Sequence, residues 1–191
     1  HEETVRPGGT PAPLNYEGFP KSVCTSVNEV VCHGIPDEEQ ILKEGDIINV
    51  DVSTIYNGYY SDSSRMFCIG KVSPEKEKLV KVTKECVEIG ISQVKPWTPI
   101  GNMGSAVHKH AVENGYSVVR EIGGHGVGVE IHESPYASPS REDILPENSI
   151  VTVEPGIYLE GKFGVRIEDF VVVTENGCIN MTKAPKELIC L

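Results

Sequence analysis

The chain has 191 residues, of which 39% are hydrophobic and 24% are charged, with a formal net charge of −11. The acidic balance argues against a nucleic-acid-binding surface, because phosphate contacts need clustered Lys and Arg. No run approaches the ~20 apolar residues of a membrane span, so we expect a globular protein of one domain.

The first half of the chain predicts strands. Gly and Pro are frequent in residues 7–20, which predicts a loop. Short apolar runs then predict strands over residues 22–31, 47–56 and 59–69. The last two flank Asn57 and Gly58, a strong signal for a two-residue β-hairpin turn.

Two helices are predicted next. The first covers residues 74–94, with Ser73 as N-cap and Pro74 in its first turn. The second covers residues 99–114, with Thr98 as N-cap and Gly115 just past its end. Strands are predicted again over residues 116–121, 150–159 and 165–173.

This order predicts an α+β fold, a single domain over 1–191 with halves at 1–72 and 73–191. Each half would be antiparallel sheet covered by helices, but the first half lacks its helix pair. An uncovered sheet face is costly, so we infer truncation or helices supplied from elsewhere. No signal peptide is visible, and six cysteines without CxxC spacing favour reduced, buried thiols in the cytoplasm.

Two carboxylates are predicted to meet on the hairpin. If Asn57 and Gly58 form a type I′ turn, Asp62 lies opposite Ser53, which shares a face with Asp51. The two carboxylates would then be a diagonal pair, roughly 5–8 Å apart at Cβ. They would repel each other unless a cation lay between them. A solvent-facing acidic pair is the alternative interpretation.

Three further side chains complete a candidate metal site. His125 lies among four glycines, which permit close backbone approach; a phosphate cradle is the alternative there. Glu154 and Glu168 each lie in an apolar, strand-forming run, where a charge needs a partner. A salt bridge from Arg166 would explain one of them but not both. Four carboxylates and one imidazole suit two divalent ions of Mn, Fe, Co or Zn.

The ordered set Asp51, Asp62, His125, Glu154 and Glu168 resembles the ligand signature of the pita-bread metallopeptidases, which include methionine aminopeptidases, aminopeptidase P and prolidase. The segments PKSVCTSVNE (20–29), VCHGIP (31–36) and GDIINVD (45–51) resemble type I methionine aminopeptidases. The segments EIHE (130–133), TVEPGIY (152–158) and FGVRIED (163–169) resemble X-Pro peptidases. The resemblance changes near residue 129, which favours a hybrid made by recombination; a natural lineage with a shortened loop is the alternative.

The resemblance implies a role for each residue. Asp51 would chelate one ion, Asp62 and Glu168 would bridge both, and His125 and Glu154 would bind the other. Glu154 would also take the proton from the attacking water. His132 would steady the carbonyl oxygen, and His33 would contact the scissile nitrogen.

The resemblance also implies the substrate, the N-terminus of a peptide or nascent chain. The positions on the methionine-pocket side are Tyr16, Phe19, Cys24, His33 and Ile131. Ile131 replaces an aromatic residue of the type I family, and that family's pocket tryptophan has no counterpart. Arg166 would bind a substrate carboxylate, orient a ligand or form a structural salt bridge. Methionine aminopeptidase is the leading hypothesis; an X-Pro peptidase and an inactive binding or scaffold protein are the alternatives.

Overall fold

The computed structural model describes residues 1–120, 123–185 and 187–191. Its helices are α1 (Glu2–Val5), α2 (Pro74–Gln93) and α3 (Gly101–Glu113), with a short 3-10 helix at Tyr16–Gly18. Its strands are β1 (Thr10–Pro11), β2 (Cys24–Val27), β3 (Ile47–Tyr56), β4 (Tyr59–Cys68), β5 (Ser117–Val118), β6 (His125–Gly126), β7 (Glu133–Tyr136), β8 (Ile150–Val153), β9 (Gly156–Leu159), β10 (Phe163–Arg166), β11 (Asp169–Thr174), β12 (Gly177–Asn180) and β13 (Ile189–Cys190).

The hairpin of β3 and β4 forms the centre of the first sheet, which also contains β1, β2 and β13. Asn57 and Gly58 have φ of 51° and 81°, the left-handed values that a type I′ turn requires. Tyr56 pairs with Tyr59 across the turn. The predicted turn and the register that it sets are therefore confirmed.

Helix α2 begins as predicted, because the Ser73 hydroxyl accepts a hydrogen bond from the Lys76 N–H at 3.3 Å. The prediction of Thr98 as N-cap of the next helix is wrong. Helix α3 begins only at Gly101, and the Thr98 hydroxyl donates to the Lys95 carbonyl at 2.8 Å instead. The chain before α3 forms an isolated bridge from Pro99 to residue 144, which keeps it extended.

Gly115 follows α3 with φ of 86°, as predicted for the residue after a helix end. The Tyr116 N–H donates to the Ala111 carbonyl at 3.0 Å and closes the helix. The strand predicted over 116–121 shortens to β5, and residue 121 lies outside the described residues.

Two long strands predicted in the second half are each interrupted. The run 150–159 divides into β8 and β9 around Glu154 and Pro155, since proline has no N–H to donate to a sheet. The run 165–173 divides into β10 and β11 around Ile167 and Glu168. Both interruptions therefore coincide with a glutamate predicted as a metal ligand.

Strands β5–β12 form two further sheets, one ordered β10-β9-β5 and the other β12-β11-β8-β6-β7. Apolar side chains of α2 and α3 form one buried cluster with these sheets and with Ile47, Met66 and Cys68 of the first sheet. Ser64 of β4 forms an isolated antiparallel bridge with Glu168, which lies between β10 and β11. This contact brings the two groups of predicted ligands together.

In the described residues that precede β3, the longest helix is α1, with four residues. Val52 on the outer face of β3 is 42% exposed. None of the described helices is both long and apolar enough to cross a membrane.

Candidate metal centre

A pocket of about 530 Å³ lies between the first sheet and the strands of the second half. All twelve residues predicted from the sequence as ligands, catalytic groups or substrate contacts line it. They are Tyr16, Phe19, Cys24, His33, Asp51, Asp62, His125, Ile131, His132, Glu154, Arg166 and Glu168.

Asp51 and Asp62 point into the pocket from one face of the hairpin. Ser53 pairs with Asp62 and Asp51 pairs with Ser64, so the carboxylates are diagonal neighbours, as predicted. Both aspartates are only 6% exposed, which excludes the alternative of a solvent-facing pair. The Ser53 hydroxyl donates to Asp62 Oδ1 at 2.7 Å and fixes that carboxylate.

His125 is positioned by a close approach between β6 and β8. A Cβ atom on Gly124 would lie 2.2 Å from the Thr152 carbonyl oxygen, so this approach requires glycine. The His125 N–H donates to Thr152 Oγ1 at 2.9 Å. Its Nδ1 lies 3.0 Å from the Gly126 carbonyl, which can only accept, so Nδ1 carries a hydrogen. The other ring nitrogen, Nε2, faces Glu154 Oε1 at 3.2 Å.

Thr152 is a functional residue that the sequence reasoning missed. It is fully buried, and its hydroxyl donates to Glu154 Oε1 at 2.9 Å while accepting from the His125 N–H. Its spacing could have shown this, because residues i and i+2 of a strand share a face. Thr152 therefore holds two predicted ligands in one orientation.

Arg166 is buried in the centre of the carboxylates, with 2% exposure. Its Nη1 donates to Glu154 Oε2 at 2.9 Å, its Nη2 donates to Asp51 Oδ2, and Nη2 lies 3.6 Å from Glu168 Oε2. One guanidinium thus contacts one oxygen of each of three carboxylates. The salt bridge considered from the sequence exists, but the expectation that it would explain only one of the two glutamates is wrong, because Arg166 contacts both.

Arg166 does not satisfy the whole acidic cluster. Asp51 Oδ1 and Glu168 Oε1 are buried without a hydrogen-bond partner among the described residues. Asp62, His125 and Glu168 each offer a ligand atom, and these atoms lie within 4.8 Å of one another. Buried carboxylate oxygens without a hydrogen bond are energetically costly. A divalent cation bound by these carboxylates and the imidazole would remove that cost.

The pKa shifts of the carboxylates also show that Arg166 does not neutralise all of them. Burial, and then the charge of Asp51, raise the pKa of Asp62 to about 7. Burial and Asp62 raise the pKa of Glu168 well above its ordinary value. Burial alone would also raise the pKa of Glu154, but the Arg166 charge and the His125 hydrogen bond lower it to about 2. Asp62 and Glu168, which Arg166 contacts least, are the two carboxylates that were predicted to bridge a metal pair.

Two further histidines face this cluster. Burial and the neighbouring His125 lower the pKa of His132 to about 4. Burial and Arg166 lower the pKa of His33, whose Nε2 lies 3.4 Å from Arg166 Nη1. His33 has φ of 55°, a left-handed value that is strained for a residue with a side chain. Both imidazoles are neutral at pH 7 and able to exchange hydrogen bonds with a substrate.

Phe19, Cys24, Ile131 and Tyr16 also line the pocket, and they are the residues predicted on the methionine-pocket side. Cys24 and Ile131 are buried, and Cys24 pairs with Asp51 across β2 and β3, directly beside the ligands. Burial and Asp51 raise the pKa of Cys24 to about 12, so the thiol is a neutral, soft wall of the pocket. Trp97 is 67% exposed and does not line the pocket.

Comparison with known proteins gives one consistent relationship. The model of metallopeptidase family M24 matches residues 1–175. The chain is 44% identical to methionine aminopeptidase A of Synechocystis sp., over 89% of this chain and 76% of that protein. It resembles the crystal structure of methionine aminopeptidase from Rickettsia prowazekii with a TM-score of 0.87 and 38% identity, over 94% of this chain and 81% of that one.

An X-Pro aminopeptidase from Thermotoga maritima MSB8 is also similar, with a TM-score of 0.82 and 33% identity. That match covers 92% of this chain and 50% of the other. The α+β architecture and these structures confirm the expected pita-bread fold. On the family match and these identities, the chain belongs to metallopeptidase family M24.

Proposed function

We propose that this chain is a methionine aminopeptidase that uses two divalent ions to remove an N-terminal methionine from peptides and nascent chains. The ligand cluster and the apolar residues Phe19, Cys24 and Ile131 line the same pocket. The identity to curated methionine aminopeptidases supports it independently.

Asp51 and Glu168 would each hold the proposed metal ions through the carboxylate oxygen that Arg166 does not contact. Asp51 presents Oδ1, and Glu168 presents Oε1. Asp62 and His125 lie within reach of Glu168 for a shared cation. When bound, the ions would supply a Lewis acid for the scissile carbonyl and lower the pKa of the attacking water.

The remaining groups act on the substrate. Glu154 lies beside His125 and would accept a proton from the attacking water. His132 donates a hydrogen bond to the carbonyl oxygen, where negative charge develops. His33, which also lines the pocket, would contact the scissile nitrogen. Arg166 holds Asp51 and Glu154 in place, and this contact supports the ligand-orienting role over binding of a substrate carboxylate.

Tyr16 selects the useful tautomer of His132. The Tyr16 hydroxyl lies 2.8 Å from His132 Nδ1. If the hydroxyl donates, the ring hydrogen is held on Nε2, where it can reach the substrate oxygen. We expect Tyr16→Phe to lower kcat by about ten- to hundredfold with little change in KM.

Steady-state kinetics on a methionyl tripeptide would check this. Tyr59→Phe is the matched control, because Tyr59 is 79% exposed at the hairpin turn. A rise in KM at unchanged kcat would show that Tyr16 only shapes the pocket.

The X-Pro peptidases are the second candidate, because the segments around Glu154 and Glu168 resemble them and one of their structures is similar. We keep a hybrid origin as a proposal on the same ground. The pocket also lacks two aromatic walls of the type I family. Since a single apolar contact discriminates by only ~1–3 kcal/mol, we expect side chains other than methionine to be cleaved as well. An inactive binding protein is the third candidate, although all five ligands are present.

Hydrolysis of Met-Ala-Ser and of Ala-Pro by the metal-reconstituted protein distinguishes the three candidate functions. We expect release of methionine from the tripeptide, and none from N-acetyl-Met-Ala-Ser, because an exopeptidase needs the free amine. Hydrolysis of only Ala-Pro would overturn the proposal in favour of an X-Pro peptidase. Absence of turnover on both, with metal bound, would favour a binding protein.

A further inference from the structure

Two cysteines far apart in the sequence are direct neighbours in the first sheet. Strand β13 pairs with β4 in parallel, and Cys190 is the partner of Cys68 in that register. Side chains of paired residues in neighbouring strands lie on the same face of a sheet. Neighbouring strands are about 4.8 Å apart, which lies within the Cα separation of disulfides, about 4.4–6.8 Å.

The side chains are close as well as the backbones. Burial first, and then the charge and a side-chain hydrogen bond of Cys190, raise the pKa of Cys68 to about 11. Cys68 is fully buried, whereas Cys190 is exposed. All six cysteines lie in the described part of the chain, and Cys190 is the exposed one among them. A small oxidant therefore meets Cys190 before any other thiol.

The C-terminal segment is already held in the position that a cross-link needs. The Leu191 N–H donates to the Cys68 carbonyl at 2.9 Å, and the Gly70 N–H donates to the Leu191 carbonyl at 2.9 Å. Arg65 Nε donates to the Pro185 carbonyl at 3.0 Å. The two bonds of Leu191 fix the register of β13 directly after Cys190, and the bond to Pro185 holds the chain that precedes β13 near β4.

We propose that Cys68 and Cys190 form a modification site, a disulfide made by exchange with a small disulfide such as oxidised glutathione. The Cys190 thiolate attacks one glutathione sulfur, forms a mixed disulfide and releases one glutathione thiolate. The Cys68 sulfur then attacks the Cys190 sulfur, and the second glutathione thiolate leaves. Two protein thiols are oxidised, one glutathione disulfide is reduced to two thiols, and the two thiol protons pass to the leaving thiolates.

The cross-link would tie the C-terminal strand to β4, the strand that carries Asp62. It closes a loop of about 120 residues, which restricts the unfolded chain strongly. We expect oxidation to raise the melting temperature by on the order of 10 °C. The proposal stands on the pairing of β4 and β13 and does not depend on the peptidase reaction.

The test treats the metal-loaded full chain with oxidised glutathione, blocks free thiols with an alkylating reagent, and maps peptides without reduction. We expect one linked peptide pair that contains Cys68 and Cys190, and a higher melting temperature that a reductant reverses. Cys190→Ser should abolish both changes, whereas Cys178→Ser is the matched control and should keep both. Recovery of Cys190 only as its glutathione adduct, or only in a disulfide between two chains, would overturn the proposal.

Discussion

Replacing Glu168 with glutamine is expected to lower peptidase activity by about 10³-fold or more and to abolish stable metal binding. The substitution keeps the size of the side chain but removes its negative charge. In the parent protein, Glu168 Oε1 is buried without a hydrogen-bond partner among the described residues. It also removes one of the three possible metal ligands, Asp62, His125 and Glu168, whose ligand atoms lie within 4.8 Å of one another. Lewis-acid activation is worth several kcal/mol, and each 1.36 kcal/mol corresponds to about tenfold in rate.

The measurement is metal content after dialysis, by elemental analysis, together with the rate of methionine release. Glu160→Gln is the matched control, because Glu160 is an exposed glutamate in the turn between β9 and β10. Circular dichroism of both variants separates loss of the site from loss of the fold. A Glu168→Gln protein that keeps its metal and works within a few-fold of the parent would contradict the assignment of the site.

Replacing Arg166 with glutamine is expected to lower the free energy of unfolding of the metal-free protein by about 3–5 kcal/mol. Arg166 is 2% exposed, and its guanidinium contacts Asp51, Glu154 and Glu168. Without the guanidinium, the negative charges of these buried carboxylates repel one another with no positive charge to balance them. A bound cation compensates the same charges, so the loss should be smaller for the metal-loaded protein.

Urea unfolding of both variants, with and without metal, checks this expectation. Arg141→Gln is the control, because Arg141 is exposed. An Arg166→Gln protein as stable as this control would show that the carboxylates do not depend on the guanidinium. An equal loss with and without metal would show that Arg166 and the cation do not share the same charges.

Local sequence determined the parts of the site that lie within one element. The Asn57–Gly58 turn sets the register of its hairpin, and the alternation of side chains then places Asp51 and Asp62 on one face. The same alternation links Thr152 to Glu154. These relations need only a few neighbouring residues, so the sequence was sufficient to predict the hairpin, and every site residue predicted from the sequence lines the pocket, although Thr152 was missed.

Relations between distant segments needed the tertiary structure. The sequence left open which group Arg166 binds, because its partners are 115 residues away at Asp51 and 12 away at Glu154. It did not predict the contact of Tyr16 with His132, 116 residues apart, or the pairing of Cys68 with Cys190. It predicted continuous strands where β8 and β10 end at the site. Such contacts form only when separate sheets pack together, and burial then decides which charges are paired and which remain for a cation.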